Sequence, residues 1–193
     1  RLSRREAIML VAGGWILASA FGTLPYAVAG TFSNYLDAFF ETMSGFTTTG
    51  ATVFDPVVNS IESQPHGILL WRSLTQWLGG MGIITLFVAL FPMLGIGAAH
   101  LVEAEMPALQ AERFTARIRD TAKALWFLYL GFSALEFISL WVAKMPVFDA
   151  LAVTFSTMPT GGFTPTNLSI GAYNSILIEG IVILFMVIAG VNF

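Results

Sequence analysis

Along this chain long apolar runs with few charges alternate with shorter segments in which Thr, Gly, Asn and acidic residues gather. The long runs extend from Glu6 to about Gly30, from about His66 to Gly97, from about Thr121 to Ala143, and from about Tyr173 to Phe193. None shows the period-two alternation of a strand, and each is long enough to cross or nearly cross a bilayer as a helix. In lipid every backbone polar group must be satisfied internally, so helices are the expected solution. Within the first run Gly14, Ala18 and Gly22 recur at four-residue spacing, a stripe against which another helix can pack closely. Between runs one and two, and again between three and four, lies a shorter pattern: a helix-length piece followed by a Thr/Gly turn.

Composition fixes the solvent. Hydrophobic residues make up 56% of the 193 residues and charged residues 11%, too little polar surface for a water-soluble domain of this size. Cysteine is absent, so neither a disulfide framework nor a thiolate metal site is available. The net charge of -3 excludes a strongly basic nucleic-acid binder. Arg1, Arg4 and Arg5 ahead of an apolar run resemble the start of a secretory leader. The apolar character continues past Ala20 to Ala29, however, so we read a true span in a piece of a longer protein. Arg113, Arg117, Arg119 and Lys123 fall between the second and third runs, while residues 31–65 carry Asp37, Glu41, Asp55 and Glu62 and no Lys or Arg. The positive-inside rule then expects a multi-pass protein of the inner or plasma membrane with a cytoplasmic N-terminus and central linker. Lys144 is the basic residue on the other side, placed to snorkel.

The two short pieces align with each other without a gap. "YLDAFFETMSGFTTTGAT" over "VFDALAVTFSTMPTGGFT" pairs Asp37 with Asp149, Thr42 with Thr154, Ser44 with Ser156, Thr48 with Thr160 and Gly50 with Gly162, an offset of 149 − 37 = 112 residues. The chain is therefore an internal duplication in which both copies run in the same direction. Ser33 or Asn34 suits the cap of the first short helix, Pro146 the first turn of the second, and Asp37 and Asp149 complement the positive ends of their dipoles. A dozen residues of helix span roughly 18 Å, enough to enter a membrane and too short to cross it. Irregular backbone at that depth is tolerated where it lines a water-filled path or is buried in protein. Gly lets successive carbonyls face one axis, and carbonyls so arranged replace the hydration shell of a cation.

At these residues the chain closely resembles the Trk/Ktr/HKT superfamily of potassium transporters, in particular the bacterial Trk-type membrane subunit. The resemblance rests on "DAFFETMSGFTTTGATV", "WRSLTQWLGGMGII", "DTAKALWFLYLG" and "FDALAVTFSTMPTGGFT" and covers nearly the whole chain. It implies an all-α membrane protein of tandem span, re-entrant pore-helix and filter-loop, span repeats of the potassium-channel type, two of the family's four repeats being present. Residues 1–99 would form the first repeat, 100–120 a cytoplasmic linker, and 121–193 the second repeat, truncated at its end. It implies potassium uptake through a selectivity filter to which Thr48, Thr49, Gly50 and Ala51 give one strand and Thr160, Gly161, Gly162 and Phe163 another. It also implies a homodimer of full-length subunits, a cytoplasmic nucleotide-binding regulatory subunit, and no cofactor beyond the potassium ion as substrate.

Other polar residues have plainer readings. Glu41 faces either the pore mouth or a hydrogen bond to nearby backbone. Arg72 and Glu179, near the outer ends of their spans, are expected to snorkel or to pair with each other. Glu136, near the middle of the third span, is expected to face protein or water, with a structural hydrogen bond ahead of ion coupling. Gly79, Gly80 and Gly82 mark either a close helix contact or a flexible point, with packing the reading set first. His66 and His100 are isolated, which speaks against a metal site. A secondary transporter with discontinuous helices is the alternative function, although it expects inverted repeats. A structural membrane subunit without a path is a third. An enzyme is not expected, since no HExxH, GxSxG or paired catalytic constellation is present.

Overall fold

A computed structural model describes residues 4–90 and 109–191. His100, the end of the second expected span and residues 100–108 of the expected linker lie outside the described residues. The described elements are all helical: α1 (Arg4–Gly22), α2 (Leu24–Ala29), α3 (Tyr35–Phe46), α4 (His66–Leu90), α5 (Leu109–Val142), α6 (Val147–Thr157) and α7 (Ile176–Gly190), with 3₁₀ turns at Ile61–Ser63 and Ser169–Tyr173.

Local chemistry accounts for most of the boundaries. Pro25 sits in the first turn of α2, and Thr23 donates its hydroxyl to the Ala20 carbonyl at 2.7 Å, so the first run bends there without losing its apolar continuity from Ile8 to Ala29. Asn34 caps α3, its side chain accepting from Leu36 N–H at 3.0 Å. Pro146 is the N-cap of α6, and Ser175 caps α7. The third run begins earlier than its hydropathy suggests. Its apolar part starts at Asp120, yet α5 reaches back to Leu109. Part of the segment expected as a linker is thus helix, as "LQAERFTARIRD" favours through its Ala, Glu, Gln and Arg content.

Large apolar side chains cover the outside, and polar ones are buried among the apolar core. Ile8, Met9, Leu10, Phe127, Val142 and Ile183 are among many large apolar side chains left exposed, while Glu41, Thr42, Arg72, Thr75, Gln76 and Glu136 are buried. An apolar exterior around buried polar groups suits lipid. Helix α4 occupies the centre, packing against both short helices, α3 and α6. Its glycines make this possible. A Cβ at Gly79 would collide with the Phe46 backbone, one at Gly80 would press on Pro159, and Gly82 faces Trp15, so the motif is a close contact. In α1 the expected small-residue stripe holds only at Gly22, which abuts Thr42 and Phe46; Gly14 meets nothing nearby among the described residues. The second half closes around Leu140, Ala150, Val153, Ile178 and Val182 from α5, α6 and α7, with Met145 from the connection between α5 and α6. At one end the two intervening loops join: Asn167 N–H donates to Glu62 at 2.6 Å and its amide donates to Ser60 Oγ at 2.8 Å. There the His66 ring also lies 4.3 Å from that of Phe148.

Candidate functional site: two matched turns

Each short helix ends in the same set of backbone bonds. In the first, Thr48 N–H donates to the Gly45 carbonyl at 2.9 Å and Thr49 N–H to Ser44 at 2.9 Å; in the second, Thr160 N–H donates to Thr157 at 2.8 Å and Gly161 N–H to Ser156 at 2.9 Å. These are the paired bonds of a Schellman closure, which calls for a left-handed residue where Gly is usual. Here Thr occupies that position twice, at φ 54° for Thr48 and 57° for Thr160. A β-branched residue is a true outlier there, and such strain gathers at functional sites. Two residues on, Gly50 and Gly162 return to positive φ, at 76° and 86°. Every one of these features recurs at the offset read from the sequence.

The two turns touch. A Cβ on Gly50 would collide with the Gly161 carbonyl, and one on Gly161 would fall on the carboxamide of Gln76. Gly50 is therefore fixed as glycine twice, by its backbone angle and by its neighbour, whereas the space beside Gly162 is open. Among the other expected site residues, Thr49, Ala51 and Thr160 are exposed, and Phe163 is buried. The Ala51 carbonyl accepts from Ser44 Oγ at 2.6 Å, so it is held by its own helix. The Thr160 hydroxyl donates to Pro159 at 2.7 Å. Thr49 and Thr47 share a hydroxyl contact of 2.8 Å.

A buried polar frame stands behind the turns. Arg72 Nε donates to Glu41 Oε1 at 2.6 Å, with both side chains essentially out of reach of water. Glu41 also accepts from Thr52 Oγ1 and from Val53 N–H, each at 3.0 Å, which fastens the chain leaving the first turn. The other arm of Arg72, Nη1, donates to the Thr164 carbonyl at 3.0 Å, beyond the second turn. Its guanidinium carbon stands 3.7 Å from the centre of the Phe163 ring, within cation–π range. The partner of Arg72 is thus Glu41. Glu179 is exposed, so the expected pairing between Arg72 and Glu179 does not form, and Glu41 faces this frame and the backbone.

Residues 2–193 match the family described as TrkH, cation transport protein. The chain belongs to this family. It is 41% identical, over its full length, to the Trk system potassium uptake protein TrkH of Salmonella typhimurium and 36% identical to TrkG of Escherichia coli. The crystal structure of the potassium transporter TrkH from Vibrio parahaemolyticus superposes on all of it with a TM-score of 0.82 at 37% identity, covering 37% of that chain. The chain spans 39% of the length of these curated relatives.

Two further candidates stand on this TrkH-family scaffold, of which the sequence singled out Glu136 but not Gln76. Gln76 is fully buried on α4 and accepts from Phe163 N–H at 3.0 Å; a Gln inside an apolar run has no periodicity to betray it. Glu136 was expected to make a structural hydrogen bond. It is fully buried with its carboxyl beside the Thr157 side chain, although neither oxygen makes a bond of full hydrogen-bond geometry among the described residues. The nearby Thr157 and Ser133 hydroxyls are already committed to the Val153 and Tyr129 carbonyls.

Proposed function

We propose that the whole protein takes up potassium across the membrane and that the two turns form part of its selectivity filter. Thr48, Thr49, Gly50 and Ala51 would supply one strand and Thr160, Gly161, Gly162 and Phe163 a second, with α3 and α6 as pore helices in two of four repeats. The observation that carries this reading is the bond-for-bond identity of two strained turns that meet at Gly50 and Gly161. Two helix C-termini, each a source of partial negative charge, end at those turns, and stripped cations are held by backbone oxygens in such places. The relatives named as potassium uptake proteins support the choice of ion. The parallel sense of the repeats weighs against the inverted architecture of a discontinuous-helix secondary transporter. A cytoplasmic N-terminus, a dimer of full-length subunits and a cytoplasmic nucleotide-binding partner belong to the same reading.

The test is cation flux into liposomes carrying the full-length subunit, comparing potassium, rubidium and sodium. Gly162→Ser is a cleaner probe than Gly50→Ser, because only its backbone angle is challenged. Potassium and rubidium flux well above sodium, with the preference lost in Gly162→Ser, is the expected result. Unchanged preference in that variant would sink the assignment.

A further inference from the structure

Helix α4 precedes the second turn by a whole span, yet it holds that turn at two successive residues. Arg72 Nη1 donates to the Thr164 carbonyl at 3.0 Å, and one helical turn further along α4, Gln76 Oε1 accepts from Phe163 N–H at 3.0 Å. The two grips differ in kind. Arg72 is tied through Glu41 to the frame at the exit of the turns, whereas Gln76 reaches the turns themselves. Its carboxamide fills the space that a side chain on Gly161 would need, and its Nε2 lies close to where a Cβ on Gly50 would stand. One fully buried side chain therefore touches both turns at the point where they meet.

The orientation of this amide is set by chemistry. Phe163 N–H is a donor and must face the carbonyl oxygen of Gln76, which turns Nε2 toward Gly50 and Gly161. Nε2 has no acceptor among the described residues. A buried amide donor without a partner calls for an explanation. An apolar side chain of similar size would fill the space but leave Phe163 N–H without its acceptor, so packing alone does not account for a glutamine here.

We propose that Gln76 is a specificity-determining positioning residue, a strut that sets the separation of the two Thr/Gly turns and through it the choice between potassium and sodium. The inference rests on the reading of the turns as filter strands. Cation choice depends on where the carbonyls stand and how many reach the ion, and Gln76 governs both at the junction. Gln76 touches no ion in this account; it acts through Phe163, Gly161 and Gly50.

The experiment uses the full-length subunit in liposomes with Gln76→Leu and Gln76→Glu, read as the ratio of potassium to sodium flux. Gln76→Leu, which removes the acceptor for Phe163 N–H, is expected to lose much of the ratio, because the carbonyls at the junction are no longer held in place. Gln76→Glu keeps the acceptor for Phe163 N–H but puts a carboxylate oxygen where Nε2 stood, so its ratio is expected to depart from the parental one as well. A second readout is independent of flux: the difference in thermal unfolding temperature between potassium chloride and sodium chloride at equal concentration. A strut predicts that this difference shrinks in Gln76→Leu, whereas a packing role lowers both temperatures together and leaves the difference intact. Should Gln76→Leu yield no folded protein, Gln76→Met is read in the same two ways. A leucine or methionine variant with the parental flux ratio and the parental salt difference overturns the proposal. Gly162→Ser run alongside separates the two ideas. If it abolishes selectivity while the Gln76 variants do not, only the strut fails; if it leaves selectivity intact, the filter reading itself fails.

Discussion

Glu41 and Arg72, on different helices and 31 residues apart in sequence, form a 2.6 Å ion pair from which water is excluded, and each also bonds to backbone beyond a different turn. Glu41 holds Val53 beyond the first; Arg72 holds Thr164 beyond the second. Removing one partner leaves an uncompensated charge in a buried site, which costs about 3–5 kcal/mol. Arg72→Met and Glu41→Gln are each expected to destabilise by about that much in thermal unfolding of the detergent-solubilised subunit. The double variant is expected to lose clearly less than the two together, because neither charge remains stranded. Simple additivity would mean that the pair is not coupled as described.

Gly50 and Gly162 share a backbone angle but not a neighbourhood. Gly162→Ala is expected to lose about 1–2 kcal/mol, the cost of a Cβ in the left-handed region. Gly50→Ala must in addition displace the Gly161 carbonyl, so its loss is expected to be distinctly larger. Equal shifts in unfolding temperature would show that the two turns stand further apart.

Thr160 carries left-handed strain with its side chain committed only to the Pro159 carbonyl. Thr160→Gly is expected to raise stability by about 0.5–1 kcal/mol, the relieved strain less the extra chain entropy of glycine. A stability gain accompanied by weaker potassium preference would show what the strain is for.

At the joined loops, hydrogen bonds from Ser60 and from the Asn167 backbone hold the Glu62 carboxyl below its ordinary value of 4.5. A depressed folded-state pKa gives a contribution that is present above that ordinary value and is lost as the pH falls through the lower one. Protection of the 165–173 loop against hydrogen exchange, corrected for intrinsic rates, is therefore expected to hold at pH 6 and to fall in acid below about pH 4.5. Glu62→Gln is expected to abolish the dependence.

How much of this could be read from the residues follows from where each signal lives. The duplication was legible because Thr and Gly at special backbone angles cannot be exchanged freely, so the pattern survives in register from Thr48 to Thr160 and from Gly50 to Gly162. The Gly79 and Gly80 contact was legible because absent side chains in an apolar run announce a close approach. The partner of Arg72 was not. Hydropathy suggests depth but says nothing of azimuth, so the sequence pointed to Glu179, at similar depth, and not to Glu41. Gln76 escaped because a single polar residue leaves periodicity intact, and the early start of α5 escaped because charge was weighed above helix propensity. For Glu136 the expectation assumed a free donor nearby, and the local hydroxyls had already turned to their own helices.

Helix α4 lies ahead of the second turn in the chain and supplies two of its anchors, which imposes an order of assembly. As the protein is made from its N-terminus, Arg72 and Gln76 are already synthesised when Phe163 and Thr164 emerge. The second half thus matures on a template left by the first. If the gene were cut between the halves, the later piece would arrive with its Phe163 N–H and its Thr164 carbonyl still looking for Gln76 and Arg72.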